Sequence, residues 1–434
     1  MISKRSTFKQ GLILALGLAI VGCKSTSTTD QSDVQTSADN VLNTYIEIAQ
    51  VKYGDALSTA KALEQEIDNF LKTPSEATLA KAKAAWIEAR APYQQTEVYR
   101  FGNSVVDEWE GKVNAWPLDE GLIDYVAPSY GSESGENPFY TANIIANPTP
   151  LIGGKQIDAS NISMSLLSDT LHEIDEVESN VATGYHVIEF LLWGQDLNGT
   201  KPGAGQRPAT DYSLENCTGG HCERRRAYLK AASSLLVKDL SDMHQSWMAD
   251  GEAHKDLLSK GTDGGLATML TGMGSLAYGE LAGERTKLGL MLHDPEEEHD
   301  CFSDNTHWSH YYDAKGIKNI YLGEYARVDG SLVSGSSLSD LVLAKDAALD
   351  AEMKSKLAAT EQAMQAMVDQ AAQGNTFDVL IGEGNTEGNK IVKNVVDALV
   401  DQAKTTEKII HILNLQNISI EGSDSLDNPS AIGA

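Results

Sequence analysis

Apolar side chains at Ile46, Ala49, Tyr53, Ala56, Ala60 and Leu63 recur every three or four positions, a spacing that predicts an amphipathic helix over residues 39–71. A second helix is predicted after Thr73-Pro74-Ser75, running through Ala84-Ala85-Trp86 to residue 101. Pro92 should kink it, because its ring removes a backbone donor. From Gly102 to Ser160, Gly, Pro, Asn and Ser dominate, and the stretch reads as a long ordered connection containing Trp116-Pro117-Leu118-Asp119. Loops of that length usually carry function. Helical spacing returns from Ile162 to Trp193 and stops at Gly194.

A further Gly/Pro/Asn-rich stretch, residues 195–220, marks the best boundary in the chain. Beyond it the plan repeats, with helices over 223–248 and 266–292, an irregular stretch over 293–337, and helices over 339–373 and 387–415. No long window alternates as strands do. The expected fold is therefore all-α: two tandem helical bundles, residues 39–200 and 201–420, related by internal duplication and carrying long ordered loops. The polar tail, 421–434, is expected to fray.

The N-terminus reads MISKRSTFKQ and then GLILALGLAIVGC, a positive stretch followed by an apolar run, as in a secretory signal over residues 1–22. That run falls short of the roughly 20 residues needed to span a bilayer. Ile20-Val21-Gly22-Cys23 resembles a bacterial lipoprotein signal, in which Cys23 becomes the lipidated first residue and residues 23–38 a flexible tether. Lys24 stands where aspartate would favour inner-membrane retention, so the expected location is the outer membrane, facing the periplasm. The alternative is a plain secreted protein in which Cys23 has no special role.

With 62 acidic against 34 basic residues the net charge is −28, which repels phosphate backbones and argues against nucleic acid as a partner. It suits cations. In an oxidising envelope, Cys217 and Cys222 are close enough in sequence to close a small disulfide loop, leaving Cys301 over. A zinc knuckle of Cys217, His221, Cys222 and Cys301 is the competing reading, although the paired-cysteine spacing of such sites is absent.

The strongest local signal is Gly184-Tyr-His186-Val-Ile-Glu189-Phe-Leu-Leu-Trp193-Gly194-Gln-Asp196. On a helix His186 and Glu189 share a face and can converge on one cation. The bare pattern means little, since about one HxxE match is expected by chance among ten histidines and a second occurs at His293-Asp-Pro-Glu296. Its setting means more: the surrounding residues are apolar nearly all round, which implies burial, and a buried glutamate must meet a cation, a donor or a proton. A structural His–Glu pair bridging the bundles is the competing reading.

Arg90, Tyr93, Glu97 and Arg100 form a polar stripe on the second helix, which also reads as a solvated face. Glu280 and Glu284 share a face of the glycine-rich helix that ends near Arg285, where close backbone packing should offset the glycines' cost of about 1 kcal/mol each. His293 to His307, including His299, gathers imidazoles and oxygens of the kind that suit iron, zinc or manganese better than copper(I). A solvated acidic loop is the alternative for Glu296, Glu297 and Glu298. Signatures of zinc peptidases of the HExxH type, serine hydrolases and phosphate-binding loops are missing from the sequence.

Gly184-x-His186-x-x-Glu189 and the Phe-Leu-Leu-Trp-Gly-Gln-Asp that follows resemble the signature of the imelysin family. Arg100-Phe-Gly102, Trp116-Pro-Leu118, Glu280-Leu-Ala-Gly-Glu-Arg285, the His299-Asp-Cys-Phe-Ser-Asp-Asn-Thr-His307 loop and Asp313-Ala-Lys-Gly316-Ile-Lys-Asn319 look like its iron-regulated protein A branch. The likeness covers nearly the whole mature chain. It implies two helical bundles with a site between them, an envelope location, and a role in iron acquisition. The family has been associated both with insulin-cleaving metallopeptidase activity and with iron uptake.

Chemistry weighs between these. A metallopeptidase needs three protein ligands, an open metal position and a general base, whereas His186 and Glu189 alone supply two ligands and no base. Binding is favoured over hydrolysis. The expectation is an envelope lipoprotein that captures iron, free or as a chelate, with His186 and Glu189 as core ligands and Glu97 or Glu284 completing the site. Glu280, His299 and His307 are further candidates, and Arg100 and Arg285 would orient carboxylates or hold an anionic chelate. Zinc is the less favoured metal, and an envelope transporter the expected protein partner. A metallopeptidase and a metal-free adaptor remain the alternatives.

Overall fold

Ser37 opens the first helix, α1 (Ala38–Lys72), by accepting the Asn40 amide, and Ser75 opens α2 (Glu76–Gln94) in a reciprocal capping box with Thr78. The structure, a computed structural model, describes residues 37–432 except 136 and 417. The signal segment, Cys23 and most of the tether lie outside the described residues.

The other principal helices are α3 (Ser104–Asn114), α4 (Gly184–Trp193), α5 (Cys222–Ser246), α6 (Gly261–Ser275), α7 (Thr306–Leu322), α8 (Leu338–Lys345), α9 (Ala347–Ala371), α10 (Phe377–Ile381) and α11 (Thr386–Leu413). From Leu276 to Lys287, α6 continues as a wider π-helix. Among the described residues, strands are confined to two antiparallel hairpins, Leu151–Ile152 with Lys155–Gln156 and Glu324–Ala326 with Leu332–Ser334. The protein is all-α.

One set of helices is α1, α2, α3, α4 and α5; the other joins α6 with its π segment, α7, α9 and α11. The expected boundary at residue 200 does not separate packing partners, since α5 lies along α1 and α4. Helix α7 packs on both α2 and α9. Contacts thus join the described residues into one compact unit.

Four differences from the expected elements have local causes. α2 stops at Gln94, two residues after Pro92, where the backbone tightens into i→i−3 bonds such as Thr96 N to the Tyr93 carbonyl, and the Gln95 carbonyl accepts from buried Lys52 Nζ at 2.8 Å. Residues 162–193 are not one helix. A short turn over Met164–Leu171 gives way to a loop with left-handed Glu173, Asp175 and Glu176, and α4 starts only at Gly184. The expected 339–373 helix breaks at Asp346, whose carboxylate caps α9 by accepting the amides of Ala348 and Leu349. Finally α3 and α7 occupy stretches expected to be irregular.

The tail does not simply fray. Residues 421–427 lie against the π segment, where added methyls at Gly279 and Gly283 would strike the Glu421 carbonyl and the Ser423 side chain. Cys217 and Cys222 are disulfide-bonded at the start of α5, which excludes the zinc knuckle, and Cys301 is a buried free thiol. No described helix is long and apolar enough to cross a membrane.

Candidate metal centre

Gly184 makes α4 possible where it lies. Its φ is 88° and a methyl group there would come within 2.5 Å of the Val113 carbonyl oxygen, so only glycine lets α4 begin against the end of α3. One turn on, His186 and Glu189 are both fully buried, and His186 Nδ1 shares a 3.0 Å hydrogen bond with Glu189 Oε2. The other oxygen of Glu189 accepts from the Ser303 amide at 2.9 Å and the Ser303 hydroxyl at 2.7 Å. Glu189 is satisfied on both oxygens.

Beyond His186 lie His299 and Asp300. One ligand atom each from His186, His299 and Asp300 falls within 4.8 Å of the others, and all three residues are buried. The His186 and His299 ring centroids are 4.7 Å apart, with Trp116 against His186 at 5.1 Å. His186 Nε2 and both nitrogens of His299 have no hydrogen-bond partner. Buried polar atoms are ordinarily satisfied, so three bare nitrogens in one place mark a site built for something else to bind.

Asp300 is held from several sides. Arg90 Nη2 donates to it at 2.9 Å, Asn305 Nδ2 at 2.9 Å, and the Ser309 hydroxyl also donates to it. Burial pushes its pKa upward, but the charge of Arg90 and these donors outweigh that and hold Asp300 below the usual carboxylate range. Burial, followed by the nearby guanidinium charges, pushes both imidazoles well below their ordinary pKa. They are therefore neutral, the form that ligates metals. Burial, and then the charge of Asp300, raise the Glu189 carboxyl.

Arg285 organises a neighbouring cluster. It donates to Glu280 Oε1 at 2.8 Å, Glu97 Oε2 at 2.9 Å and Asp313 Oδ2 at 3.1 Å, while Arg100 reaches Glu280 at 3.3 Å and Asp107 at 2.7 Å. Asp313 sits on α7, three residues before Gly316, where a methyl would meet the Gln95 carbonyl oxygen at 2.7 Å. A cavity of about 560 Å³ opens beside this cluster. Arg100, Glu280, Glu284 and Arg285 line it together with Glu110, and His299 forms part of its wall. His299 thus joins the buried group to the cavity.

The structure redistributes the residues singled out in sequence. His186 and His299 come together. Glu189 lies behind His186 and outside the three-residue group, in the position of a carboxylate that orients a metal-binding histidine. Glu97 is taken by Arg285, and Glu284 lines the cavity instead of joining the group. His307 packs near Trp308 and is not in the group; burial lowers its pKa to about 4. Arg90, read in sequence as part of the polar stripe of the second helix, is brought to Asp300, whereas Asp300 and Ser303 themselves were not singled out. Asp300 follows His299 directly and Ser303 comes three residues later in the same family-like loop, and that proximity was the available signal.

These helices, the buried Gly184-x-His186-x-x-Glu189 turn and the His299 loop together define an imelysin-type protein. The chain belongs to the imelysin family: the family model described as Imelysin matches residues 49–406. It is 29% identical over 133 residues to an iron-regulated protein A from Synechococcus elongatus, an alignment spanning 28% of this chain and 37% of that relative. Among solved structures it is similar to an iron-regulated protein A precursor from Parabacteroides distasonis, with a TM-score of 0.62 at 19% identity, covering 88% of this chain and 97% of the other. An imelysin-like protein from Psychrobacter arcticus gives 0.56 at 15% identity, with the same coverage of each chain. At these identities the two structures establish the fold alone.

Proposed function

We propose that this protein binds iron at the group formed by His186, His299 and Asp300, reached through the cavity beside His299. The observation that carries the reading is the set of bare nitrogens on two neutral, buried imidazoles next to an ionised aspartate. Two histidines and one carboxylate are the donor set that suits iron(II). Glu189 would accept from His186 Nδ1, leaving Nε2 free for the metal. The names of the relatives, iron-regulated protein A, favour iron over zinc.

Free or weakly held iron is a better cargo than an anionic chelate. Arg100 and Arg285 are already engaged by carboxylates, and glutamates outnumber arginines in the cavity wall. The placement we propose is an envelope lipoprotein held to the outer membrane through Cys23, passing iron to an envelope transporter. A metallopeptidase is the second reading, because three ligand atoms are now available where the local motif offered two. Glu189 does not supply its base, because both of its oxygens are engaged by His186 and Ser303.

Elemental analysis after iron loading tests the proposal. The wild-type chain should retain about one iron per molecule, and His186→Ala/His299→Ala should retain none while keeping its helical circular dichroism. Equal retention in both proteins, or none in either, would remove these ligands from the reading. Chelator-sensitive cleavage of an unfolded substrate would instead support the peptidase.

A further inference from the structure

A second group of ligand atoms stands apart from the first. Asp196, just after α4, Asp304, in the loop before α7, and Asp378, in α10, bring one carboxylate oxygen each within 4.8 Å of one another. Asp378 is fully buried, yet neither of its oxygens has a hydrogen-bond partner. Asp304 Oδ1 is likewise buried and without a well-formed hydrogen bond; the Thr376 hydroxyl lies beside both carboxylates as a neutral donor and offsets none of their charge. Glu298, only 1% exposed, has a bare oxygen too, and after burial the charges of Asp378 and Asp304 do most to raise its carboxyl.

Among the described residues, none of these four carboxylates forms an ion pair. They repel one another, and burial with that repulsion raises Asp304 to about 7 and Asp378 to about 6. Asp196, half-exposed, accepts from the Asn198 amide and side chain, but a carboxylate held in the interior without a cation is unfavourable, so Asp304 and Asp378, meeting from separate segments, need a counter-charge from outside the chain. Every donor is an oxygen. That excludes the softer preferences of zinc, copper and iron–sulfur sites and selects a hard cation. Magnesium is ordinarily held by one or two carboxylates and several waters, whereas calcium takes six to eight oxygens with flexible geometry.

We infer that Asp196, Asp304 and Asp378, backed by Glu298, form a calcium site. The site is independent of the iron reading, but the two share a segment of chain. Glu298 and Asp304 bound the stretch that carries His299 and Asp300 toward His186 and brings Ser303 to Glu189. Calcium at the acidic group would hold that stretch in place.

Calorimetry and thermal unfolding of the chelator-treated full chain, with calcium chloride as the probe, test this. One equivalent of calcium should bind and raise Tm by about 5 °C at saturation. Asp304→Asn/Asp378→Asn should lose at least about tenfold in affinity and the Tm shift with it, while His186→Ala/His299→Ala keeps both. Absence of calcium binding by the wild type, or unchanged binding in the Asp304/Asp378 variant, would overturn the site. An equal effect of magnesium chloride would overturn its assignment to calcium. Should the double variant fail to fold by circular dichroism, Asp196→Asn, in a half-exposed loop, carries the test: about a tenfold loss is expected, and unchanged affinity overturns the site.

Discussion

Around Arg285, the carboxylates of Glu97, Glu280 and Asp313 each lie between 2.7 and 3.1 Å from a guanidinium nitrogen, whereas around Asp378 the carboxylates of Asp196, Asp304 and Glu298 meet no cation. Both groups are largely buried and both bring together more than one part of the chain. The difference lies in where the neutralising charge comes from. In the first cluster it is covalently present, so the geometry is complete on folding and can serve as a rigid wall for the cavity. In the second it has to be supplied by solvent, as protons or as a metal ion.

Removing the internal cation breaks this contrast most severely. Arg285→Met leaves Glu97 and Asp313 buried without their cation, and Glu280 with Arg100 alone, and should cost about 3–5 kcal/mol, read from the midpoint of urea unfolding at pH 7. A midpoint unchanged from wild type would mean that the cluster draws no stability from its arginine.

An intermediate effect is expected at Glu120, a buried carboxyl whose side-chain neighbours include Gln195 and no cation. Burial, and then the charge of Glu296, push it up to about 7. Between the ordinary glutamate range and pH 7, the native state therefore holds a proton that the unfolded chain has released. Stability should fall as pH rises through this window. Glu120→Gln lacks the titrating group, and its stability relative to wild type should grow by about 1–3 kcal/mol from pH 4.5 to pH 7.5. Parallel stability curves for the two proteins would contradict the shift.

The smallest effect belongs to the same chemistry on the surface. Lys393 and Asp397 are 2.6 Å apart on α11, but more than half of each side chain is exposed. Lys393→Ala should change the unfolding free energy by less than about 0.5 kcal/mol, and the difference should vanish in 1 M salt. A larger, salt-resistant loss would show that exposure fails to separate the weak pairs from the strong ones.

The legibility of this fold followed the polarity of its buried faces. α1, α5 and α11 bury stripes of apolar residues, such as Leu63, Ile67 and Phe70, and their spacing is plain in the sequence. α7 turns Ser309, His310 and Asp313 inward among its apolar residues, and the short α3 adds Glu110 and Asn114 to the face on which it buries Val106, Trp109 and Val113, so polar residues break into both stripes. They were hidden for the reason that makes them useful: their polar residues belong to the site. The Gly184-x-His186-x-x-Glu189 turn was legible because its neighbours are apolar all round. Its partners were not, since Ser303 lies 114 positions from Glu189 and Arg90 lies 210 from Asp300. No local spacing records contacts of that range, and the same holds for Asp196, Asp304 and Asp378.

Cys301 gives this junction a clock. In a Cys23→Ser chain with the bridge between Cys217 and Cys222 intact, it is the one remaining thiol. Burial, and then the charge of Glu296, hold that thiol well above its ordinary pKa, so an alkylating reagent reaches a reactive form only when the segment opens to solvent. The labelling rate therefore counts openings of residues 298–304, and a cation bound on either side of the segment would slow that count.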